Sequence, residues 1–402
     1  MIQVAVFGYG TVGSGVVEVL QTNQDMIDKK SEEQVRLKYV LDLRDFPEDP
    51  IQKYIVHDVD VILNDPEVNI ICETMGGLKV AYDYTKRALE AGKSVCTSNK
   101  ELVAAYGPEL IKIAKEHKCN YLFEASVGGG IPIIRPLNNS LSSEKIDGIT
   151  GILNGTTNYI LTKMAREGSS FETVLKEAQE LGYAERNPEA DVEGHDAGRK
   201  IAILSSLMYG KNVKYENVYM EGITKITFED FAYAKAMNHS IKLLATSKDE
   251  DGKSYAMVAP FMISENYPLY SVNDVFNGIY VHSNMLGDSM YYGRGAGKLP
   301  TASAVIADVV DCARHMGKNI TCFWDAEEKE LCGIDDVEFT YFVRVKNEAA
   351  AQVKEVFGDV KEIRVSNVEG EFGFITEKMM EKDFKAKAAQ LDGMISRIRM
   401  EK

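Results

Sequence analysis

Ile2-Gln3-Val4-Ala5-Val6-Phe7-Gly8-Tyr9-Gly10-Thr11-Val12-Gly13 opens the chain, and the architecture follows from it. A short run of β-forming residues enters G-x-G-x-x-G. The apolar residues Val12, Val16, Val17, Val19 and Leu20 then recur at helical spacing. This is strand, turn, helix. Such glycines let the backbone turn tightly, approach a pyrophosphate, and begin a helix whose N-terminal N–H groups and dipole favour an anion. By itself the pattern is weak, because a strand-helix turn can be glycine-rich for structural reasons. Placed after a strand and before a helix, it predicts dinucleotide contacts at Gly8, Gly10, Thr11, Val12 and Gly13.

Working outward, strand-like runs at 35–43, 70–73, 94–97 and 120–124 alternate with helical segments at 81–91 and 107–117. That alternation predicts an α/β fold, a Rossmann-type doubly wound parallel sheet over residues 1–135. The polar stretch 22–34 carries no element signal. A breaker cluster, Gly128-Gly129-Gly130-Ile131-Pro132, marks a change of texture. Beyond it, a strand at 145–153 enters the loop Asn154-Gly155-Thr156-Thr157-Asn158. Helices at 159–166, 171–181 and 196–209 and strands at 254–263 and 278–282 follow. Residues 136–300 therefore read as an α+β substrate-binding and dimerisation domain, and a helix near 301–320 completes the first domain. From residue 335 the order is strand 338–345, helix 349–357, strands 360–365 and 372–377, helix 381–391, strand 394–400. This β-α-β-β-α-β order predicts a small third domain over 335–402.

The 402 residues suit about two to three domains. With 45% hydrophobic and 27% charged residues, the composition is that of an ordinary globular protein, and no apolar run approaches the roughly 20 residues of a membrane span. No basic segment or cleavage site precedes the glycine loop, so no export signal is expected. A formal net charge of -15 with no basic stripe argues against nucleic acid and for small-molecule partners. The six cysteines, Cys72, Cys96, Cys119, Cys312, Cys322 and Cys332, form no C-x-x-C pair, which disfavours zinc and a disulfide framework and fits a reducing cytoplasm.

Two lysines suit proton transfer beside a hydride transfer. Lys100 follows Thr97-Ser98-Asn99 just past a strand end, where open α/β sheets place ligands; read plainly, it is a surface lysine after a helix cap. Asp196 and Lys200 stand four residues apart on one helix face; read plainly, they are a solvated ion pair. Glu185 and Asp191 can receive a substrate ammonium, or simply favour a helix N-terminus. Glu124, ahead of the glycine cluster, can ligate a hard cation together with nearby carbonyls. Cys96 is a candidate nucleophile inside an apolar run, where a core thiol is the plainer role. After the second strand, Asp42 and Asp45 flank Arg44. An acid there binds ribose hydroxyls and an arginine binds a 2′-phosphate, so the dinucleotide stays NAD or NADP.

These motifs together resemble homoserine dehydrogenase, the single-function form with a C-terminal ACT-like domain. The resemblance runs through Gly8–Gly13, Glu73-Thr74-Met75-Gly76-Gly77, Ser98-Asn99-Lys100, Glu124 to Pro132, Gly151 to Tyr159, Gly182-Tyr183-Ala184-Glu185, Asp191 to Lys200, and Gly293-Arg294-Gly295-Ala296-Gly297. It implies NAD(P)-dependent interconversion of L-homoserine and L-aspartate 4-semialdehyde, on the branch to threonine and methionine. It makes Lys200 the proton donor or acceptor, with Lys100 a second lysine and Asp196 beside it. Glu185, Asp191, Asp196 and Thr156 become substrate contacts, and Arg44, Thr74, Lys100 and Gly297 join the cofactor contacts. It further implies a sodium site from Glu124 with the carbonyls of Val127, Gly129 and Ile131, and a homodimer or tetramer.

Three departures stand out. Arg44-Asp45 is followed by Phe46-Pro47-Glu48-Asp49 rather than by further basic residues, which weakens the case for NADP. Arg186-Asn187-Pro188 replaces a Pro-Asp-Pro after the glutamate. Lys346-Asn347-Glu348-Ala349 replaces the Asp-x-Pro-Gly-like turn of an ACT domain, which weakens effector binding there. Two rival functions remain at this point: a non-catalytic dinucleotide sensor, and a cysteine-dependent semialdehyde dehydrogenase using Cys96.

Overall fold

A computed structural model describes residues 1–250 and 252–401. Its contacts divide the chain into two compact units. The first comprises Met1–Glu144, Ala202–Tyr215 and Tyr291–Lys329; the second comprises Lys145–Ile201, Glu216–Met290 and Glu330–Lys402.

In the first unit six strands, β1 (Ile2–Phe7), β2 (Val35–Leu41), β3 (Ile55–Val56), β4 (Val68–Glu73), β5 (Ser94–Thr97) and β6 (Tyr121–Leu122), form one sheet in the order β3-β2-β1-β4-β5-β6. Every pairing is parallel. This is the doubly wound order expected, with its reversal between β1 and β4. Val4, Ala5, Val6 and Phe7 have no exposed surface, as a central strand covered on both faces requires. Helix Thr11–Thr22 buries Val16, Val17 and Leu20 against helix Lys298–Arg314. The two helices touch at Gly15, where a Cβ would come within 2.8 Å of the Lys298 carbonyl oxygen. The helix expected near 301–320 thus belongs to this unit.

Two local expectations differ. The stretch 120–124 keeps only a two-residue strand and passes into a 3-10 turn at Glu124–Ser126. The cause is the Glu124 carboxylate, which bends the chain by collecting N–H groups from Ile133, Ile134 and Arg135. The polar stretch 22–34 contains helix Gln24–Ser31, whose only buried residues are Ile27 and Ser31, too few to leave an apolar pattern.

The second unit is built on a mixed sheet of β7 (Ile146–Ile152), β8 (Tyr219–Met220), β9 (His239–Glu250), β10 (Lys253–Ser264), β11 (Phe276–Ser283), β12 (Glu338–Lys346), β13 (Glu371–Ile375) and β14 (Met394–Glu401). The order runs β11-β7-β9-β10-β14-β12-β13, with strand Gly287–Arg294 forming a hairpin beyond β11 and β8 alongside β10. Residues 335–402, expected as a third domain, continue this sheet: β14 pairs parallel to β10 and antiparallel to β12. The expected strand at 360–365 is reduced to one bridge, Ile363 to Gly373. Together with that bridge, β14, β12 and β13 have the strand order of a split β-α-β-β-α-β unit. Its core is shared with the rest of the sheet, since Met257, Phe261 and Ile263 join Tyr341, Val343, Phe374 and Phe384 in one cluster.

Candidate active site

The cofactor loop is set by close approaches that only glycine permits. Gly8 has φ +88°, and a Cβ on Gly13 would lie 1.9 Å from the Gly8 carbonyl oxygen. Thr74, just past β4, braces the turn: its Oγ1 donates to the carbonyl oxygens of Phe7 and Gly8 at 2.9 and 3.0 Å. Thr11 and Val12 open the helix after Gly10, and Gly297 stands at the N-terminus of helix Lys298–Arg314 with φ +123°.

Past β2, Asp42 accepts the Tyr9 N–H at 2.8 Å, and Arg44 donates Nε and Nη2 to its two oxygens at 3.0 Å. The Arg44 guanidinium holds the Asp42 carboxyl well below the usual carboxylate range despite burial. Arg44 also reaches the Tyr9 carbonyl oxygen at 3.2 Å and lies over the Phe46 ring. Asp42, which the sequence offered only as one flanking acid, is therefore the residue that ties β2 to the glycine loop.

Lys100 is the first residue of helix Lys100–Glu116, and the Asn99 side chain caps that helix by accepting from the Leu102 N–H at 3.1 Å. Asn99 Nδ2 donates to the Gly77 carbonyl oxygen at 2.8 Å, which joins the loops after β4 and β5. Beneath them lies Glu73, fully buried, taking Thr97 Oγ1 at 2.5 Å and the Met75 N–H at 2.8 Å. Burial pushes its carboxyl up to about 7 although both hydrogen bonds oppose this. The motif was visible in the sequence, but a lone acid at a strand end gave no sign of being buried.

In the second unit, Lys200 Nζ donates to the Leu153 carbonyl oxygen and to Asp196 Oδ2, both at 2.7 Å. The Lys200 and Asp196 side chains are only 12% and 10% exposed, so this is no solvated surface pair. Asn154 Nδ2 reaches Asp191 at 2.7 Å and Asp196 at 2.9 Å, while Asn154 Oδ1 caps helix Gly155–Glu167 by accepting from the Thr157 N–H at 2.8 Å. Thr156 Oγ1 donates to the Tyr183 carbonyl oxygen at 2.7 Å, which fastens the exposed loop carrying Glu185. One corner thus gathers Lys200, Asp196, Asp191 and Asn154, with Thr156 and the Glu185 loop tied to the same helix start. Asn154 was not singled out from sequence. Its signal was the position, an Asn after a strand and before Gly-Thr-Thr, where caps occur.

Around Glu124 the carboxylate takes the N–H groups of Ile133, Ile134 and Arg135 at 2.6, 2.8 and 2.8 Å, and Arg135 pairs with Asp308 and Asp311. Val127, Gly129 and Ile131 are buried in the same turn. Gly129 packs so closely that a Cβ would meet the Gly295 carbonyl oxygen at 2.5 Å. Cys96 is fully buried, with its Sγ 3.7 Å from that of Cys312, and burial pushes its thiol far above the usual range. A thiol so placed is no nucleophile.

Two family models match, one described as homoserine dehydrogenase over residues 132–310 and one as homoserine dehydrogenase, NAD binding domain, over residues 8–124. The homoserine dehydrogenase of Bacillus subtilis is 40% identical over 386 residues, covering 94% of this chain and 87% of that protein. The chain belongs to the homoserine dehydrogenase family. The Synechocystis homoserine dehydrogenase is 45% identical, covering 77% of this chain and 73% of its own. Among solved structures, a homoserine dehydrogenase from Thiobacillus denitrificans superposes with a TM-score of 0.91 at 33% identity, covering 100% of this chain and 98% of that one. A hyperthermophilic archaeal homoserine dehydrogenase in complex with NADPH has a TM-score of 0.66 at 28% identity over 77% of this chain and 97% of its own. The enzyme is an NAD(P)-dependent oxidoreductase interconverting L-homoserine and L-aspartate 4-semialdehyde, which sets aside the sensor and the thiol-dependent rival.

Proposed function

We propose that Lys200 gives and takes the proton at the substrate's aldehyde or alcohol oxygen. Its fixed, nearly buried ammonium supports this most directly: two of its three N–H donors go to Leu153 and Asp196, which holds the charge in one place. A developing alkoxide favours a cation held in place beforehand. Asp196 orients the lysine, and Asp191 and Glu185 hold the amino-acid ammonium with Thr156 fastening the Glu185 loop. NAD(P), when bound, takes or supplies the hydride. Lys100 is read as the second lysine near the cofactor. A cation in the first turn of a helix works against the helix dipole, so a functional reason suits it better than a structural one.

Arg44 has its guanidinium committed to Asp42 and Tyr9, and Asp45 and Asp49 stand nearby. These acids support NAD over NADP, because a 2′-phosphate would meet more negative charge than positive. For sodium, the Glu124 carboxylate is turned to three N–H groups, so it would hold the turn while the carbonyls of Val127, Gly129 and Ile131 would be the ion's ligands. All-oxygen ligands suit such a hard cation.

Residues 335–402 are read as an ACT-like layer on the strength of their strand order. The described residues contain no helix long and apolar enough to cross a membrane, and all six cysteines are free thiols, which supports a reducing cytoplasm. The exposed hairpin residues Met285 and Leu286 support a homodimer, checked by light scattering.

Purified enzyme reduces NAD with L-homoserine at alkaline pH, with a higher kcat/KM than for NADP. A clear preference for NADP would overturn the reading of Arg44, and wild-type-like turnover in Lys200→Ala would overturn that of Lys200.

A further inference from the structure

Glu221 lies outside every motif the sequence analysis singled out, yet two arginines of β14 converge on it. Arg397 Nη1 donates to both Glu221 oxygens at 3.0 Å, and Arg399 Nη1 donates to one at 2.8 Å. Arg399 is fully buried and is itself fixed by Glu381, through Nε at 3.0 Å and Nη2 at 2.8 Å. Burial acts to raise the Glu221 carboxyl, and the two guanidinium groups outweigh it, so the group stays below the usual range.

The backbone on either side of Glu221 grips the turn that joins Asp191 to Asp196. The Glu221 N–H donates to the Val258 carbonyl oxygen at 2.8 Å, and the Ile223 N–H to that of Val192 at 2.9 Å. Gly222 lies so flat against the turn that a Cβ would come within 2.4 Å of the Val192 carbonyl oxygen and 2.7 Å of Glu193 Cα. Gly194, at φ +86°, leaves only 3.0 Å between such a Cβ and Val258. Residues 192–194 link the short helix Glu189–Val192, which carries Asp191, to helix His195–Tyr209, which carries Asp196 and Lys200.

We infer that Glu221 is a positioning residue for substrate binding, anchoring the turn at 192–194, and through it Asp191 and Asp196, to Arg397 and Arg399 of β14. The inference rests on the reading of that corner as the substrate site.

Glu221→Gln keeps the size of the side chain and removes the charge. It raises KM for L-homoserine about tenfold or more, since small misplacements of binding groups are costly, while kcat falls less. The Kd of reduced cofactor, followed by fluorescence, stays near wild type, while the melting temperature falls because Arg399 loses a partner. Glu221→Asp restores part of the loss, and Arg397→Gln, at a partly exposed site, shifts KM in the same direction. Should Glu221→Gln not fold, Arg397→Gln decides. An unchanged KM in the folded variants would overturn the inference, as would a loss of cofactor affinity as large as the loss for L-homoserine. Turnover by Lys200→Ala would instead fault the assignment of the corner itself.

Discussion

The ammonium of Lys200 sits 2.7 Å from the Asp196 carboxylate, one helical turn away, in a corner where both side chains are about one-tenth exposed. Their spacing is that of an ordinary surface ion pair, but their burial is not. A surface pair contributes about 0–1 kcal/mol and tolerates substitution; a nearly buried pair fixes a charge in one place.

Lys200→Ala should therefore lower kcat by at least about a hundredfold, the scale of a lost general acid or base. Cofactor affinity, measured by fluorescence titration, should remain within a factor of about two, well below the tenfold that 1.4 kcal/mol would give. Asp196→Asn should lower kcat less, since the lysine keeps its bond to Leu153.

Asn154 separates stability from binding. Asn154→Ala removes the helix cap and the amide shared by Asp191 and Asp196, so it should cost about 1 kcal/mol of stability and raise KM for L-homoserine. Asn154→Ser keeps a capping oxygen but no amide donor. Thermal denaturation should show it near wild type while KM stays raised; equal KM for wild type and Ser variant would contradict the shared-amide role.

Glu73 sets a pH dependence of stability. Its carboxyl is raised by burial to about 7 in the folded enzyme, above its value in the unfolded chain, so the folded state binds the extra proton between those two values. Its contribution to stability is thus greatest at acid pH, falls as pH rises towards about 7, and is level beyond. Glu73→Gln cannot ionise, so its melting temperature relative to wild type should rise over that window and stay higher at pH 8. A constant difference from acid to alkaline pH would show that the Glu73 carboxyl is not raised above its value in the unfolded chain.

Cys96 should be dispensable. Cys96→Ala is expected to lose some stability from a core cavity and to keep kcat and KM, with no requirement for inorganic phosphate. Loss of turnover in a folded variant would reopen a thiol mechanism.

How much of this was legible in the sequence depended on how local the cause was. The glycine loop and its strand were plain, because each glycine answers a close contact a few residues away or across one strand. Helix Lys298–Arg314 was legible because its apolar face is long and periodic. Helix Gln24–Ser31 and strand β9 were not found: the helix buries too little to show a period, and β9 carries Lys242 and other polar residues inside the sheet. The cluster of Lys200, Asp196 and Asp191 could be reached through its motifs, but the burial of Lys200 and Glu73 could not, since burial depends on what packs over a side chain. Glu221 had no local signature at all; its arginine partners lie more than 170 residues further along the chain.

Strand β14 lies between β10 and β12, with Phe261 opposite Arg399 and Tyr341 also opposite Arg399. A strand in that position is a seam, and the tail it ends is not a detachable cassette. Cutting before it would leave two raw sheet edges, which invite aggregation. The second unit must also bring together segments far apart in the chain before its sheet is complete, which slows folding. Grafting a foreign effector module onto this scaffold would therefore succeed only if the replacement restored residue-by-residue pairing on both sides of that seam.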